Sequence, residues 1–276
     1  MRRIASVLGT ASLCLSFLSA APALAASCIT EKGAFGSYKA NLAQQAQQAG
    51  VGQRGLQALQ NAQLSSITWR FESQPSSQTG VSYGDPATFL AKRTGGSAQA
   101  FVNAARSKRN ANANLFNSIE QRFGVPGSVL SVIWGLETSW GGYLGKTKIV
   151  DGAVTLSSYC RRHPRFEPHA EAALMLVDRG LITANTQGGP SGELGHMQFL
   201  AGNWMRYGVD ANGDGRIDPY NAADALASAA NLLRQNGWKA GQAFGEGTAN
   251  FRALSAWNDS GNYQRAIAYA AQQVGN

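Results

Sequence analysis

The chain has 276 residues, 44% of them hydrophobic, and a formal charge of +8. That is enough for one or two domains with a proper core. The basic balance suits an acidic polymer or surface, but no basic run is interleaved with aromatics, which argues against nucleic acid as the partner.

The N-terminus reads as a secretory signal over residues 1–25. Arg2 and Arg3 are followed by an apolar run from Ile4 to Leu18, and Ala23-Leu24-Ala25 offers a cleavage site before Ala26. The run is short for a membrane span of about 20 residues, and no later apolar stretch is long enough to be transmembrane. Loss of Arg2 and Arg3 leaves a mature charge of +6. The expected location is periplasmic or secreted. A lipoprotein acylated at Cys28 fits less well, because Ala25-Ala26-Ser27 is a poor lipid-attachment box. Cys14 is lost with the signal, so Cys28 and Cys160 remain as an isolated pair in an oxidising compartment, where a disulfide is the simplest reading.

Phe35, Tyr38, Leu42 and Ala46 recur at helical spacing and predict a helix over 34–49, stopped by Gly50. A second short helix fits 55–63. Residues 73–85, rich in Ser, Gln and Gly, read as a loop. Asp85-Pro86 starts another helix with Asp as cap. Ser97 caps a helical pattern that runs to Phe123, with a polar stretch at 107–114 where it can break. Gly124-Val125-Pro126 punctuates, and Pro126 opens the helix that carries Val129, Ile133 and Glu137. Further helices fit 167–178, 199–207, 222–236 and 262–273, with a Gly-rich break at 188–192. No strand alternation exceeds four residues, so the chain reads as all-α or mainly α.

Val129, Ile133 and Glu137 lie at i, i+4 and i+8 and share one helix face. Glu137 therefore sits at the edge of the core, in the last turn before Gly141-Gly142. The negative end of the helix dipole and burial against Trp134 or Trp140 both push its pKa upward. A Glu protonated near neutral pH suits a general acid for glycosidic oxygen. The competing reading is a structural Glu that accepts hydrogen bonds from loop N–H groups.

Three motifs occur in order: Phe123-Gly124-Val125-Pro126, then Trp134-Gly135-Leu136-Glu137-Thr138-Ser139-Trp140-Gly141, then Gly192-Glu193-Leu194-Gly195-His196-Met197-Gln198-Phe199. Together they resemble the lytic murein transglycosylases, most closely the membrane-bound lytic transglycosylase B type (glycoside hydrolase family 103). The resemblance runs from Phe123 to Trp238 and more loosely to the C-terminus. It implies a lysozyme-like α-helical core at 97–276 behind an N-terminal helical extension at 26–96. It also implies cleavage of the bond between N-acetylmuramic acid and N-acetylglucosamine in peptidoglycan glycan strands, with a 1,6-anhydromuramyl product. Glu137 matches the family's acid and base, and no catalytic cofactor is needed. The substrate site would be formed by Gln198, Trp140, Ser139, Glu193, Phe199, Asn258 and Tyr263. His196-Met197 stands where smaller residues are usual in the family. A monomer is expected.

A glycosidase of the common kind needs two carboxylates, and no second one lies near Glu137 in sequence. Glu193, on a Gly-rich loop, is the acidic residue that would permit a hydrolase if it faced the sugar; the alternative is that it braces the loop. Asp210-Ala211-Asn212-Gly213-Asp214-Gly215-Arg216-Ile217-Asp218 matches the first nine positions of an EF-hand loop. Asp210, Asn212 and Asp214 supply side-chain oxygens and Arg216 its carbonyl. Position 12 is Asn221 and not Glu, with Asp224 able to replace it. A structural Ca2+ or Na+ is expected there. Ala256-Trp257-Asn258-Asp259-Ser260 resembles the family's C-terminal element, with Trp257 at the usual Tyr; Asn258 would meet the substrate near Glu137, and Tyr263 would start the closing helix. Asn258 or Ser260 also reads simply as a helix cap.

Overall fold

Apolar residues at helical spacing, bounded by short polar caps, give thirteen α-helices among the described residues of the computed structural model, which are 27–74 and 84–275. The expected signal lies outside them, as does most of the expected loop at 73–85. The helices are α1 (Phe35–Gln48), α2 (Gln53–Asn61), α3 (Ser66–Ser73), α4 (Pro86–Thr94), α5 (Ala98–Ala111), α6 (Ala113–Phe123), α7 (Gly127–Thr138), α8 (Ile149–Ser158), α9 (Glu167–Asp178), α10 (Ala201–Tyr207), α11 (Ala222–Gln235), α12 (Ala249–Ala253) and α13 (Gly261–Val274). Two short strands, β1 (Thr147–Lys148) and β2 (Gln187–Gly188), pair antiparallel, Thr147 opposite Gly188.

The caps act as their residue types require. The side chains of Asp85 and Ser97 accept from the N–H groups of Thr88 and Ala100, and Asn221 accepts from Ala223 and Asp224. The long helical pattern after Ser97 breaks at Asn112, inside its polar stretch, where α5 ends and α6 begins. Helices α3, α8 and α12 have no counterpart in the expectations. Helix α8 is buried almost throughout, so its sequence lacks the apolar stripe that periodicity detects.

Helix α7 is the centre. Its residues are buried on every side, with Glu137 the partly exposed exception. It packs against α5, α6, α11 and α13, while α9 packs against α2, α8 and α10. The expected boundary at 96/97 falls between α4 and α5, and α4 packs against both α5 and α13. One apolar cluster runs from Ile29 to Val274.

The N-terminal segment is tied down twice. Cys28 and Cys160 form the expected disulfide, with Cα atoms 4.8 Å apart across 132 residues of sequence. Ile29 N–H donates to the Ser158 carbonyl at 2.8 Å beside it. The buried Glu72 at the end of α3 takes Arg161 Nη2 at 2.5 Å and Arg162 Nε at 2.7 Å, fastening α3 to the same segment. A loop of that length restricts the unfolded chain by about 5 kcal/mol in the chain-entropy treatment. Replacing both cysteines by serine should lower the unfolding free energy by about 2–5 kcal/mol, measured by guanidinium denaturation of the two proteins side by side.

Candidate active site

Helix α7 delivers Glu137 in its last turn, and the chain then reverses sharply. Ser139, Trp140 and Gly141 follow one another at φ of 50°, 58° and 85°. The reversal folds the Trp140 ring back onto its own helix. Its indole N–H donates to the Ser131 carbonyl at 2.9 Å, and its ring stacks on Phe101 with centroids 5.4 Å apart. The ring lies over Gly135, where a Cβ would stand 2.5 Å from Trp140 Cζ2. The glycine of the Trp-Gly-Leu-Glu motif is thus the space into which the motif's second tryptophan packs. Ser139 is exposed at the tip of the reversal.

Glu137 Oε1 accepts two hydrogen bonds, from Tyr263 Oη at 2.6 Å and from Trp257 Nε1 at 3.0 Å. Both donors come from the C-terminal segment. Burial drives the Glu137 pKa up, against the opposing effects of these two bonds and of the Arg93 charge on α4. Tyr263 is buried, with Phe89 of α4 edge-on to its ring at 6.1 Å. Burial and the neighbouring Glu137 hold the Tyr263 pKa well above 10, so this hydroxyl stays a donor. Both bonds fall on one oxygen, which leaves Oε2 as the natural seat of a transferable proton.

The second wall is the turn 194–199. Leu194 N–H donates to the Phe199 carbonyl at 2.8 Å and Phe199 N–H returns to Leu194 at 3.1 Å. The closed turn holds Gln198 at φ 47°. Gln198 Nε2 donates to the Gly195 carbonyl at 2.9 Å, and its Oε1 faces Gly189 together with Glu193 Oε2. A Cβ on Gly189 would lie 2.4 Å and 2.3 Å from those oxygens, so a larger residue there would displace both side-chain ends. Glu193 Oε2 accepts from Ser191 N–H at 2.7 Å, which braces the loop. Burial raises the Glu193 pKa, and the charge of Glu137 pushes the same way. Phe199 is buried and meets Trp257 edge-on at 5.2 Å, so it supports the indole that bonds Glu137. Asn258 Oδ1 accepts from Ser260 N–H at 2.9 Å ahead of α13, and its side chain is partly exposed.

Glu137 is thus brought together with Tyr263, Trp257 and, through Trp257, Phe199; Gln198 and Glu193 meet over Gly189. The roles of Trp257 and Arg93 escape sequence reading. Each lies far from Glu137 in the chain; Arg93 sits in no motif, and the motif that contains Trp257 does not mark its indole as a partner of Glu137.

The acidic loop runs into Pro219, whose carbonyl accepts from His196 N–H of the 194–199 turn at 3.0 Å. Asp210 accepts from Gly213 N–H at 2.7 Å and Gly215 N–H at 2.8 Å; Asn212 Oδ1 accepts from Asp214 N–H at 3.0 Å, and Asp214 Oδ1 from Arg216 N–H at 2.9 Å. Asp224 is fully buried, with Oδ1 taking Ala211 and Asn212 N–H and Oδ2 taking Asp218 N–H. Among the described residues no group of three or more His, Cys, Asp or Glu side chains is placed to hold a metal. Asp210, Asn212 and Asp214 therefore offer an oxygen-rich turn, while Asp224 is committed to the backbone of the loop.

A family profile described as the transglycosylase SLT domain matches residues 34–248. The membrane-bound lytic murein transglycosylase B of Escherichia coli K12 is 36% identical over 130 residues, which are 46% of this chain and 36% of that protein, so the match spans about a third of the relative's length. Among solved structures, SltB3 of Pseudomonas aeruginosa in complex with NAG-NAM-pentapeptide superposes with a TM-score of 0.75 at 22% identity, covering 88% of this chain and 80% of that one. Escherichia coli Slt35 in complex with calcium gives 0.69 at 24% identity, with 84% and 92% covered. The Pseudomonas aeruginosa SltB1 structure gives 0.72 at 18%, with 86% and 97% covered. The fold is the one these lytic transglycosylases share, as the three motifs implied.

The Glu137 environment also makes a stability prediction. A carboxyl whose folded pKa is raised favours the folded state when protonated, and that contribution is lost as pH rises through the folded value. Glu137→Gln keeps a carbonyl oxygen for Trp257 and Tyr263 without the charge. It should raise the melting temperature at neutral pH, with the gain shrinking as the pH is lowered toward the ordinary carboxyl range. Thermal denaturation of both proteins across that range checks it.

Proposed function

This chain belongs to the transglycosylase SLT domain family, and on that premise we propose that it cleaves the N-acetylmuramic acid–N-acetylglucosamine bond of peptidoglycan, with Glu137 as acid and then base. Protonated Glu137 gives its proton to the glycosidic oxygen as the C1–O4 bond breaks. The N-acetylglucosamine leaves with its 4-hydroxyl. The Glu137 carboxylate then takes the proton of the muramic 6-hydroxyl as that oxygen bonds to C1, closing the 1,6-anhydro ring. The proton returns to Glu137 and no water is consumed. The observation that carries this reading is the single half-buried carboxyl, raised in pKa, whose one oxygen is fixed by Trp257 and Tyr263.

Substrate contacts are assigned to Gln198, Glu193, Ser139, Asn258 and the aromatic residues around them, with Trp140, Phe199 and Tyr263 acting from behind. A hydrolase (muramidase or chitinase type) is the second reading, and Glu193 is the observation that favours it, since its carboxyl lies close enough to feel the Glu137 charge. Hydrolysis needs Glu193 ionised as a base, whereas burial and its bond to Ser191 N–H suit a brace. A non-catalytic glycan-binding protein is the third reading, and an intact Glu137 opposes it. An exported location agrees with the disulfide, and no described helix is long and apolar enough to cross a membrane.

Purified sacculi digested with the protein should yield anhydro-ended muropeptides, lighter by one water than hydrolysis products in mass spectrometry. Glu137→Gln should lower turnover by about 10³-fold or more. Reducing ends would establish the hydrolase, and full activity of the variant would remove Glu137 from the chemistry.

We assign Asp210, Asn212, Asp214 and the Arg216 carbonyl as a structural cation seat, binding in the weak range of roughly millimolar typical of extracellular modules. Millimolar calcium should raise the melting temperature of the wild type and leave that of Asp210→Ala unmoved, in paired thermal scans with and without chelator.

A further inference from the structure

Two residues before Gln198, His196 touches α7 and its end at three points. Trp134 Nε1 lies 3.3 Å from His196 Nδ1, with the rings edge to face. Thr138 Oγ1 donates to the His196 carbonyl at 2.8 Å. Gly141 lies flat against the ring, where a Cβ would stand 2.5 Å from Cε1. Trp134 is one helical turn before Glu137, Thr138 directly follows it, and Gly141 closes the reversal after it. On its other side, His196 N–H donates to the Pro219 carbonyl at 3.0 Å. The residue therefore joins the helix end carrying Glu137 to the turn carrying Gln198.

The direction of the Trp134 bond fixes the imidazole's state. An indole N–H only donates, so Nδ1 must be bare and the ring's proton must sit on Nε2. A protonated imidazole would present a second N–H to the indole N–H, and the bond would be lost.

We propose that His196 is a positioning residue for the cleavage reaction: in its neutral form it clamps the end of α7 to the Gln198 turn, and its protonation releases the clamp and shuts the reaction off on the acid side. The inference rests on the reading of Glu137 as the acid. The groups facing the ring are Asp218, at the end of the acidic loop, and Tyr220 just after it; Glu137 on α7 and Glu193 on the ring's own loop are the other carboxyls on the two elements that the ring joins. The Tyr220 hydroxyl is committed to the Gln187 carbonyl, Glu137 to Trp257 and Tyr263, and Glu193 to Ser191. Burial lowers the His196 pKa, outweighing the Tyr220 backbone and the Asp218 charge, which favour the charged ring. Release is therefore expected below the ordinary imidazole value of about 6.5. A lone acid such as Glu137 gives only an alkaline limb, because it must be protonated to act. An acid limb belongs to a different group.

The test combines kinetics on soluble glycan fragments from acid to neutral pH with the indole N–H resonance of Trp134, assigned through Trp134→Phe, in the full chain. In the wild type, kcat should fall on the acid side, and the Trp134 resonance should shift with the same midpoint. His196→Phe should lower kcat about 10- to 100-fold with little change in KM. His196→Gln can accept from Trp134 without titrating; it should recover part of that loss and have no acid limb. A Trp134 resonance that does not move through the titration, or an acid limb retained in His196→Gln, overturns the proposal. The two readings fail separately: an active Glu137→Gln removes the acid but leaves the Trp134 titration as it is, and a static Trp134 leaves the loss of activity in Glu137→Gln untouched.

Discussion

The Glu137 carboxyl is the constraint around which the rest is arranged. It stands at the negative end of a helix dipole and half inside a core, two settings that each oppose its ionisation. Left alone there it would cost stability without gaining a fixed direction. Trp257 and Tyr263 supply the direction, both on Oε1. Neither is near in sequence, so the C-terminal segment and α13 must close over α7 before the carboxyl has a defined orientation. Helix α4 completes the arrangement, with Phe89 against Tyr263 and the Arg93 charge nearby. The site is therefore a product of tertiary closure, although its acid is carried by a local motif.

The backbone shows the same concentration. Among the described residues, the non-glycine residues at positive φ are Ser139, Trp140 and Gln198, and all lie in this site. Such conformations cost of order 1–3 kcal/mol each unless their surroundings impose them. Here the surroundings do so. Trp140 is held by Ser131 and Phe101, and Gln198 by the closed Leu194–Phe199 turn and the Gly195 carbonyl. The two strained turns face each other across His196, which makes contact with both.

Helices that present one apolar stripe to the core were legible in the sequence, as the match of 34–49 to α1 and of 222–236 to α11 illustrates. Helix α8 escapes sequence reading because it is buried nearly all round, polar residues included, and begins after a short strand, so neither period nor cap marks it. The disulfide was legible by elimination, since only two cysteines survive the expected processing. At the site, Glu137 could be picked out because its helix face and stop signal are local. Tyr263 was placed near the cleft but not on the carboxyl. Trp257 was recognised only as a substitution in a motif, because the partner of an indole N–H 120 residues away leaves no trace in composition or spacing. In the acidic loop the sequence displays the oxygen donors but not their occupancy. The fold shows that the buried Asp224 serves backbone N–H groups.

Helix α7 has almost no surface of its own, because α5, α6, α11 and α13 enclose it. Amide protons exchange with solvent by local opening where an element can detach, and by global unfolding where it cannot. An element enclosed in this way belongs to the second class. The Glu137 backbone is then expected to exchange only with global unfolding, although its side chain is partly exposed. Any motion around the carboxyl is left to the surrounding turns, since the helix that carries it is enclosed by its neighbours.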